Sequence, residues 1–273
     1  MSSNAAQRQP ELSDYLRAVL QALPANQLFA VISWGCAATS WLADVLNSHP
    51  DIFCVHAGNW SWHAFGGAPA LDGVPYLRVV GSQGHAHAAA GDVHGVNRAH
   101  VPGLRAAYGQ RFNAAVVTRD PMPRFRSQMR LFYRWEQYRP WDLGYIDSII
   151  GERDIPLPDP SAYANRFVVH AANMLNAIVD ERAVGRVYRA EDITTSPAAL
   201  GDLVCDLTRG KVVPDKTWLE AAILRKPTHV HSSWGEAPER ELQDWEIEVV
   251  RHVVSREAWR AYEELGYETP ALL

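Results

Sequence analysis

The chain has 273 residues, of which 47% are hydrophobic and 21% charged, enough for one large α/β domain or at most two small ones. A net charge of −5 and a pI near 6.1 leave no global basic field to recruit nucleic acid, so any anion site has to be local. Three cysteines, an odd and sparse count, argue against a disulfide framework and for a reducing compartment.

Residues 1–10 are polar and read as a disordered N-terminus. The first 21 residues lack the basic-then-apolar layout of a signal peptide, and no apolar run reaches 18 residues; the expected setting is cytoplasmic, away from membranes. Residues 12–23 place Leu12, Leu16, Val19, Leu20 and Leu23 at helical spacing. Residues 28–33 are a continuous apolar run, as in a strand buried on both faces. A helix over 39–47 follows, stopped by 47–51, and 52–56 is a second short strand. Residues 57–91, rich in Gly, Ala, His and Pro, read as a long surface excursion. A third strand is expected over 93–100, a short helix over 102–108 and a fourth strand over 113–118. An aromatic-rich helix over 121–138 and a helix over 161–182 come next. A fifth strand is expected over 186–189, and late helices over 197–208 and 239–264. Strands alternating with helices imply an α/β fold: a single domain with a central parallel sheet flanked by helices.

Two segments carry chemistry. In 113–127, Arg119 falls at the carboxyl end of the fourth strand and Ser127 about two turns into the next helix. Ligands of open α/β sheets bind beyond strand carboxyl ends, and an arginine with a hydroxyl there suits a phosphate. In 33–41 the small residues Gly35, Cys36, Ala37 and Ala38 lead into Thr39, Ser40 and Trp41. Free N–H groups at the helix start, with two hydroxyls, form an anion cradle. It is not a Walker A loop, because the Gly-Lys-[Ser/Thr] ending is missing.

Taken together, these segments resemble the sulfotransferase family. Thr39-Ser-Trp-Leu42 followed by Leu46-Asn-Ser-His-Pro50 resembles its phosphosulfate-binding loop and helix. Arg119-Asp-Pro121 with Arg124 and Ser127 resembles its 3′-phosphate motif. Arg98-Ala-His-Val-Pro102 resembles the Lys-Thr-His-Leu-Pro stretch that carries the base in cytosolic members, and Ala190-Glu-Asp-Ile193 resembles its Tyr-Glu-Asp-Leu segment. The order agrees from Ser33 to Ile193, well over half the chain. The resemblance implies a P-loop NTPase-like fold over residues 11–273 and 3′-phosphoadenosine 5′-phosphosulfate as donor, with no metal required. It further implies 3′-phosphate binding by Arg119 and Ser127, 5′-phosphosulfate binding by Gly35 to Ser40, and Trp41 near the adenine. The implied partner is a small-molecule hydroxyl acceptor, without nucleic acid or membrane, and a homodimer stays open.

The pattern breaks at Cys36, where the family loop usually carries a Lys or Arg that neutralises the leaving oxygen. Neither Lys nor Arg occurs between Arg17 and Arg78, so a substitute has to come from elsewhere, and Arg98 is the candidate. Cys36 as a reactive thiol is a minor alternative beside a plain small packed residue. His100 has the best context for the general base, with Arg98 two residues before it and Pro102 after. His56, ending the second strand, is the runner-up. His85, His87 and His94, and the pair His229 and His231, allow a zinc reading but lack carboxylate or thiol partners at suggestive spacing. Trp60, Trp62 and His63, with Phe65, cluster in one loop and suit an acceptor pocket; Phe132, Tyr133, Trp135 and Tyr138 crowd one helix as pocket wall or as ordinary core.

Two other readings compete: a nucleotide-binding pseudoenzyme on the same fold, motivated by Cys36, and a P-loop metabolite kinase, which the missing Walker lysine opposes. Turnover of Cys36→Lys separates the first from an active transferase. A large gain marks a compromised catalyst, and a loss marks Cys36 as part of a working site.

Overall fold

A strand can be apolar at every position only where both faces are covered, and in the computed structural model the first strand is buried at all six positions. The structure describes residues 25–33, 37–57, 72–135, 143–153, 155–225 and 241–269, with backbone only for 130–135. The strands are β1 (Gln27–Ile32), β2 (Ile52–His56), β3 (Ala89–Val93), β4 (Phe112–Thr118) and β5 (Val187–Arg189). The helices, in chain order among the described residues, are α1 (Thr39–Asn47), α2 (Gly73–Gln83), α3 (Val101–Tyr108), α4 (Pro121–Trp135), α5 (Ile146–Arg153), α6 (Tyr163–Asn173), α7 (Ala177–Glu181), α8 (Ala190–Thr195), α9 (Pro197–Thr208), α10 (Lys216–Ile223), α11 (Asp244–Val253) and α12 (Arg256–Glu264).

The sheet order is β2-β3-β1-β4-β5 and every pairing is parallel. This is the expected α/β architecture, a P-loop-like parallel sheet flanked by helices. Strand alternation divides β1 between two cores. Phe29 and Val31 pack with Leu42 of α1 and Leu203 of α9, while Leu28, Ala30 and Ile32 pack with Leu77 of α2 and Leu104 of α3. A third core joins α4, α6, α7, α11 and α12, with Phe125, Val169 and Trp259 buried in it.

The topology sets the position of any site. The chain leaves β1 toward β2 and leaves β4 toward β5, in opposite directions across the sheet. Right-handed crossovers then put α1 on one face, and α2 and α3 on the other. β1 and β4 are neighbours, paired from Leu28↔Phe112 to Ile32↔Val116. Their carboxyl ends therefore flank a topological switch point, where such sheets bind ligands.

The third strand departs from expectation. β3 covers 89–93, and the 98–100 part of the expected strand is a 3₁₀ turn. Residues 89–93 read poorly as a strand because Gly91 and Asp92 sit inside it. Both have packing reasons: a β-carbon on Gly91 would overlap the ring and carbonyl of Phe29, and buried Asp92 accepts hydrogen bonds from Tyr76 Oη and the Gly95 N–H. The expected excursion over 57–91 accordingly holds α2 and most of β3, with 58–71 outside the described residues. The expected helix over 161–182 breaks at Met174–Asn176, also a 3₁₀ turn. There Asn176 donates to the Val253 carbonyl at 3.0 Å and accepts from the Ser255 N–H at 2.8 Å. Those bonds fix the junction of α11 and α12, which splits the expected helix over 239–264; Ser255 caps α12 through the Ala258 N–H at 3.1 Å. The expected helix over 12–23 and the N-terminal 1–10 lie outside the described residues, among which no helix is long and apolar enough to cross a membrane.

Gly91→Ala should destabilise the protein by about 1–3 kcal/mol through overpacking between β3 and β1. Gly151→Ala in α5, where a β-carbon meets nothing within 4 Å, should stabilise it by roughly 0.5–1 kcal/mol. Urea unfolding of the two variants checks the contrast; equal effects would contradict the packing described.

Candidate active site

Entry into α1 is set by Ala38, whose φ of 55° lies in the left-handed region that residues with a β-carbon rarely adopt. Among the described residues no side chain caps the helix, and its first turn carries no acidic residue. Helix starts leave backbone N–H groups pointing outward with a partial positive charge. The Thr39 hydroxyl adds to them from a nearly buried position, and Ser40 is half-buried. Across from this turn, His56 ends β2 and brings Nε2 to 3.2 Å from Thr39 Oγ1 and 3.4 Å from Ser40 Oγ. The hydroxyls of the cradle and an exposed imidazole thus share one hydrogen-bonded group.

A second histidine joins them. His94 follows β3 directly with φ 74°, a strained conformation for a non-glycine residue. The Asp92 carboxylate holds the turn through Gly95. His94 Nδ1 lies 2.5 Å from the Ser33 carbonyl. A carbonyl only accepts, so Nδ1 carries the proton and, in the neutral ring, Nε2 keeps its lone pair. Burial lowers the pKa of His94 below the ordinary histidine value, the Ser33 bond opposes this, and the charge of Arg124 adds to the lowering. The His56 and His94 rings are 22° from parallel, with centroids 6.2 Å apart.

On the other side of the switch point, Asp120 and Pro121 define the start of α4. Asp120 Oδ1 accepts from the Met122 N–H at 3.0 Å, and proline suits the first helical position. Arg119, just before them, donates from Nη1 to Ser127 Oγ at 3.3 Å. The two residues expected to grip a phosphate are therefore in contact. Glu191, at the start of α8, sits 4.0 Å from Arg119 Nε. Its Oε1 accepts from the Asp120 N–H at 3.1 Å, and its Oε2 from Tyr267 Oη at 2.8 Å.

Other expected site residues lie elsewhere. His100 is on the 3₁₀ turn Arg98–His100 rather than at a strand end; it packs against Gly73, and its buried Nδ1 has no hydrogen-bond partner among the described residues. Arg98 is engaged with Asp180 at 2.7 Å. Trp41, expected near an adenine, is 4% exposed and packed in the core beside α1, with its indole N–H donated to the Arg225 carbonyl at 3.0 Å. Ala37 is buried. Gly35, Cys36, Trp60, Trp62, His63, Phe65, His229 and His231 lie outside the described residues, as do the side chains of Phe132, Tyr133 and Trp135. His85 bonds to the Ser82 carbonyl and His87 packs near Phe53. Among the described residues no group of three or more His, Cys, Asp or Glu is placed to hold a metal ion.

Two ionisable side chains are fully buried, Arg124 on α4 and Glu181 on α7. Burial raises the pKa of Glu181, while Arg124 and Arg98 lower it. Sequence reasoning missed Glu181, Tyr267 and the part played by His94. For His94 a signal existed: it stands directly after β3 while His56 ends β2, but placing the strand at 93–100 moved the strand end to His100.

No protein-family model matches the chain, and no curated protein matches it. Among solved structures, a sulfotransferase from Alicyclobacillus acidocaldarius is similar, with 15% identity and a TM-score of 0.48 over 89% of this chain and 97% of that one.

Nitrogen-15 spectra of the protein at pH 7 should show His94 neutral with its proton on Nδ1. On acidification it should titrate below the ordinary histidine midpoint of about 6.5. A midpoint at or above that value would contradict the buried, carbonyl-bonded ring.

Proposed function

We propose that the protein is a sulfotransferase that moves a sulfuryl group from 3′-phosphoadenosine 5′-phosphosulfate to a hydroxyl of a small molecule. The observation that carries this reading is the contact of Arg119 with Ser127 at the end of β4, on the strand neighbouring β1, which leads to the start of α1. Two anion-holding elements on neighbouring strands suit a ligand with phosphate groups at both ends. In this reading Arg119 and Ser127 hold the 3′-phosphate, and the N–H groups and hydroxyls of Thr39 and Ser40 hold the 5′ end. The donor supplies an activated sulfur; the S–O bond to the nucleotide breaks as a bond to the acceptor oxygen forms.

The acceptor's proton needs a base. The geometry favours His56, because its Nε2 is hydrogen-bonded to the hydroxyls of the cradle, whereas His100 packs against the start of α2. Neutral His94 lies next to His56 and adds no positive charge that would oppose proton uptake by it. Charge on the leaving oxygen is then met by backbone N–H groups.

A second reading is nucleotide binding without turnover. It is favoured by the ion pair of Arg98 with Asp180, which engages the cation expected to replace the missing loop lysine.

Transfer of labelled sulfate from the donor to a panel of small hydroxyl acceptors tests both. His56→Ala should lower kcat by about 10²-fold or more and leave nucleotide affinity nearly intact, while His100→Ala should retain most activity. Arg119→Ala should weaken nucleotide binding by about 1.5–3 kcal/mol. Full activity of His56→Ala with loss in His100→Ala would reverse the base assignment, and tight binding without transfer to any acceptor would favour the second reading.

A further inference from the structure

The sheet order β2-β3-β1 sets the end of β3 between the ends of β2 and β1. Pairing runs to the last residues, with His56 on one side of Val93 and Val31 on the other. The Ala57 N–H bonds to the Val93 carbonyl at 2.8 Å, and the His94 N–H to the Val31 carbonyl at 3.0 Å. In a parallel ladder the next acceptor on that edge of β1, the Ser33 carbonyl, would take the N–H of residue 96. The chain does not continue that way. His94 turns it with φ 74°, and its ring nitrogen Nδ1 lies 2.5 Å from the Ser33 carbonyl. One residue thus gives its backbone N–H to Val31 and its side-chain N–H to Ser33, replacing the missing rung.

The turn that allows this is imposed by its surroundings. A residue with a β-carbon is unfavourable in the left-handed region and stays there only where neighbours over-determine it. Here the fully buried Asp92 carboxylate accepts from Tyr76 Oη on one oxygen and from the Gly95 N–H on the other. A β-carbon at position 95 would fall on that carboxylate, so glycine is needed there. The outcome is an imidazole N–H aimed at the end of β1. From Ser33 the chain runs on to Thr39 and Ser40, whose hydroxyls lie 3.2 and 3.4 Å from His56 Nε2. The His94 ring is also stacked beside the His56 ring, with centroids 6.2 Å apart. His94 therefore adjoins both strand ends from which the cradle and the candidate base depart.

We propose that His94 is a positioning residue: by donating Nδ1–H to the Ser33 carbonyl it fixes where the chain leaves β1, and so sets the anion cradle against His56. This inference rests on the sulfotransferase reading, in which the cradle holds the 5′ end of the nucleotide. Protonation of the ring leaves the Nδ1 proton in place, so the hold on Ser33 persists across its titration. The role requires a donor at that point and a backbone that accepts the left-handed region; it does not require imidazole chemistry, which separates it from proton carriage. Asparagine meets both requirements, since it enters the left-handed region more readily than most side chains and its amide N–H can stand in for Nδ1–H. Glycine meets only the backbone requirement.

Calorimetric titration of the full chain with 3′,5′-adenosine bisphosphate and with 3′-AMP tests the proposal, because the ratio of the two affinities reports the hold on the 5′-phosphate. His94→Gly should cut the advantage of the bisphosphate roughly tenfold and leave 3′-AMP binding unchanged. His94→Asn should keep that advantage within about threefold of wild type. An unchanged ratio in His94→Gly, or an equal loss in His94→Gly and His94→Asn, would overturn the positioning role while leaving the functional reading standing. A wild-type protein that binds neither nucleotide, or both equally, would overturn the two together. Thermal midpoints check folding; were His94→Gly to unfold, His94→Asn alone decides. A retained ratio in that variant supports the proposal, and a tenfold loss overturns it.

Discussion

The structure depends on one constraint: β1 is buried on both faces and hydrogen-bonded in parallel on both edges. A strand so enclosed can send its chain out only at its carboxyl end, and handedness then decides which face the next helix covers. Because the connection after β1 runs one way across the sheet and that after β4 the other, the sheet cannot close over the gap between their ends. Polar groups at the carboxyl edge of the sheet come from segments distant in sequence: the start of α1, the ends of β2 and β3, and the Arg119 turn after β4. Parallel pairing brings them together.

Electrostatics around the gap is graded from the surface inward. His56 is exposed and bonded to two hydroxyls. His94 is deeper and held neutral by burial and by the positive charge of Arg124. Arg124 and Glu181 are wholly buried, where an isolated charge costs several kcal/mol and mutual attraction offsets part of that cost. Arg124, on the helix that carries Ser127, lowers the pKa of Glu181 on α7, whose neighbour Asp180 pairs with Arg98. Nearer the surface, Glu191 accepts from the Asp120 N–H and Tyr267 Oη and also pairs with Arg119.

Much of this was legible in the residues. The apolar run at 28–33 signalled an enclosed strand, Asp120-Pro121 signalled a helix start, and the eight-residue step from Arg119 to Ser127 put both side chains on one side of that start. What misled was composition inside a central strand. Gly91 and Asp92 disfavour β structure locally, yet close packing on Phe29 and two buried donors require them. The resulting shift of β3 concealed His94. Trp41 was misleading in another way: a tryptophan after a phosphate-type loop suggests stacking, but helical periodicity turns it into the core. The link from Tyr267 to Glu191 spans 76 positions and leaves no local pattern, since it arises where the residues after α12 meet Arg189 at the end of β5.

The most direct test of the central claim is a comparison of binding. Titration of the wild-type protein with 3′,5′-adenosine bisphosphate and with ADP asks whether the gap between β1 and β4 recognises a 3′-phosphate. The account expects micromolar affinity for the bisphosphate and little for ADP. Equal affinity for the two, or none for either, would mean that Arg119 and Ser127 do not form a phosphate clamp, and would contradict it.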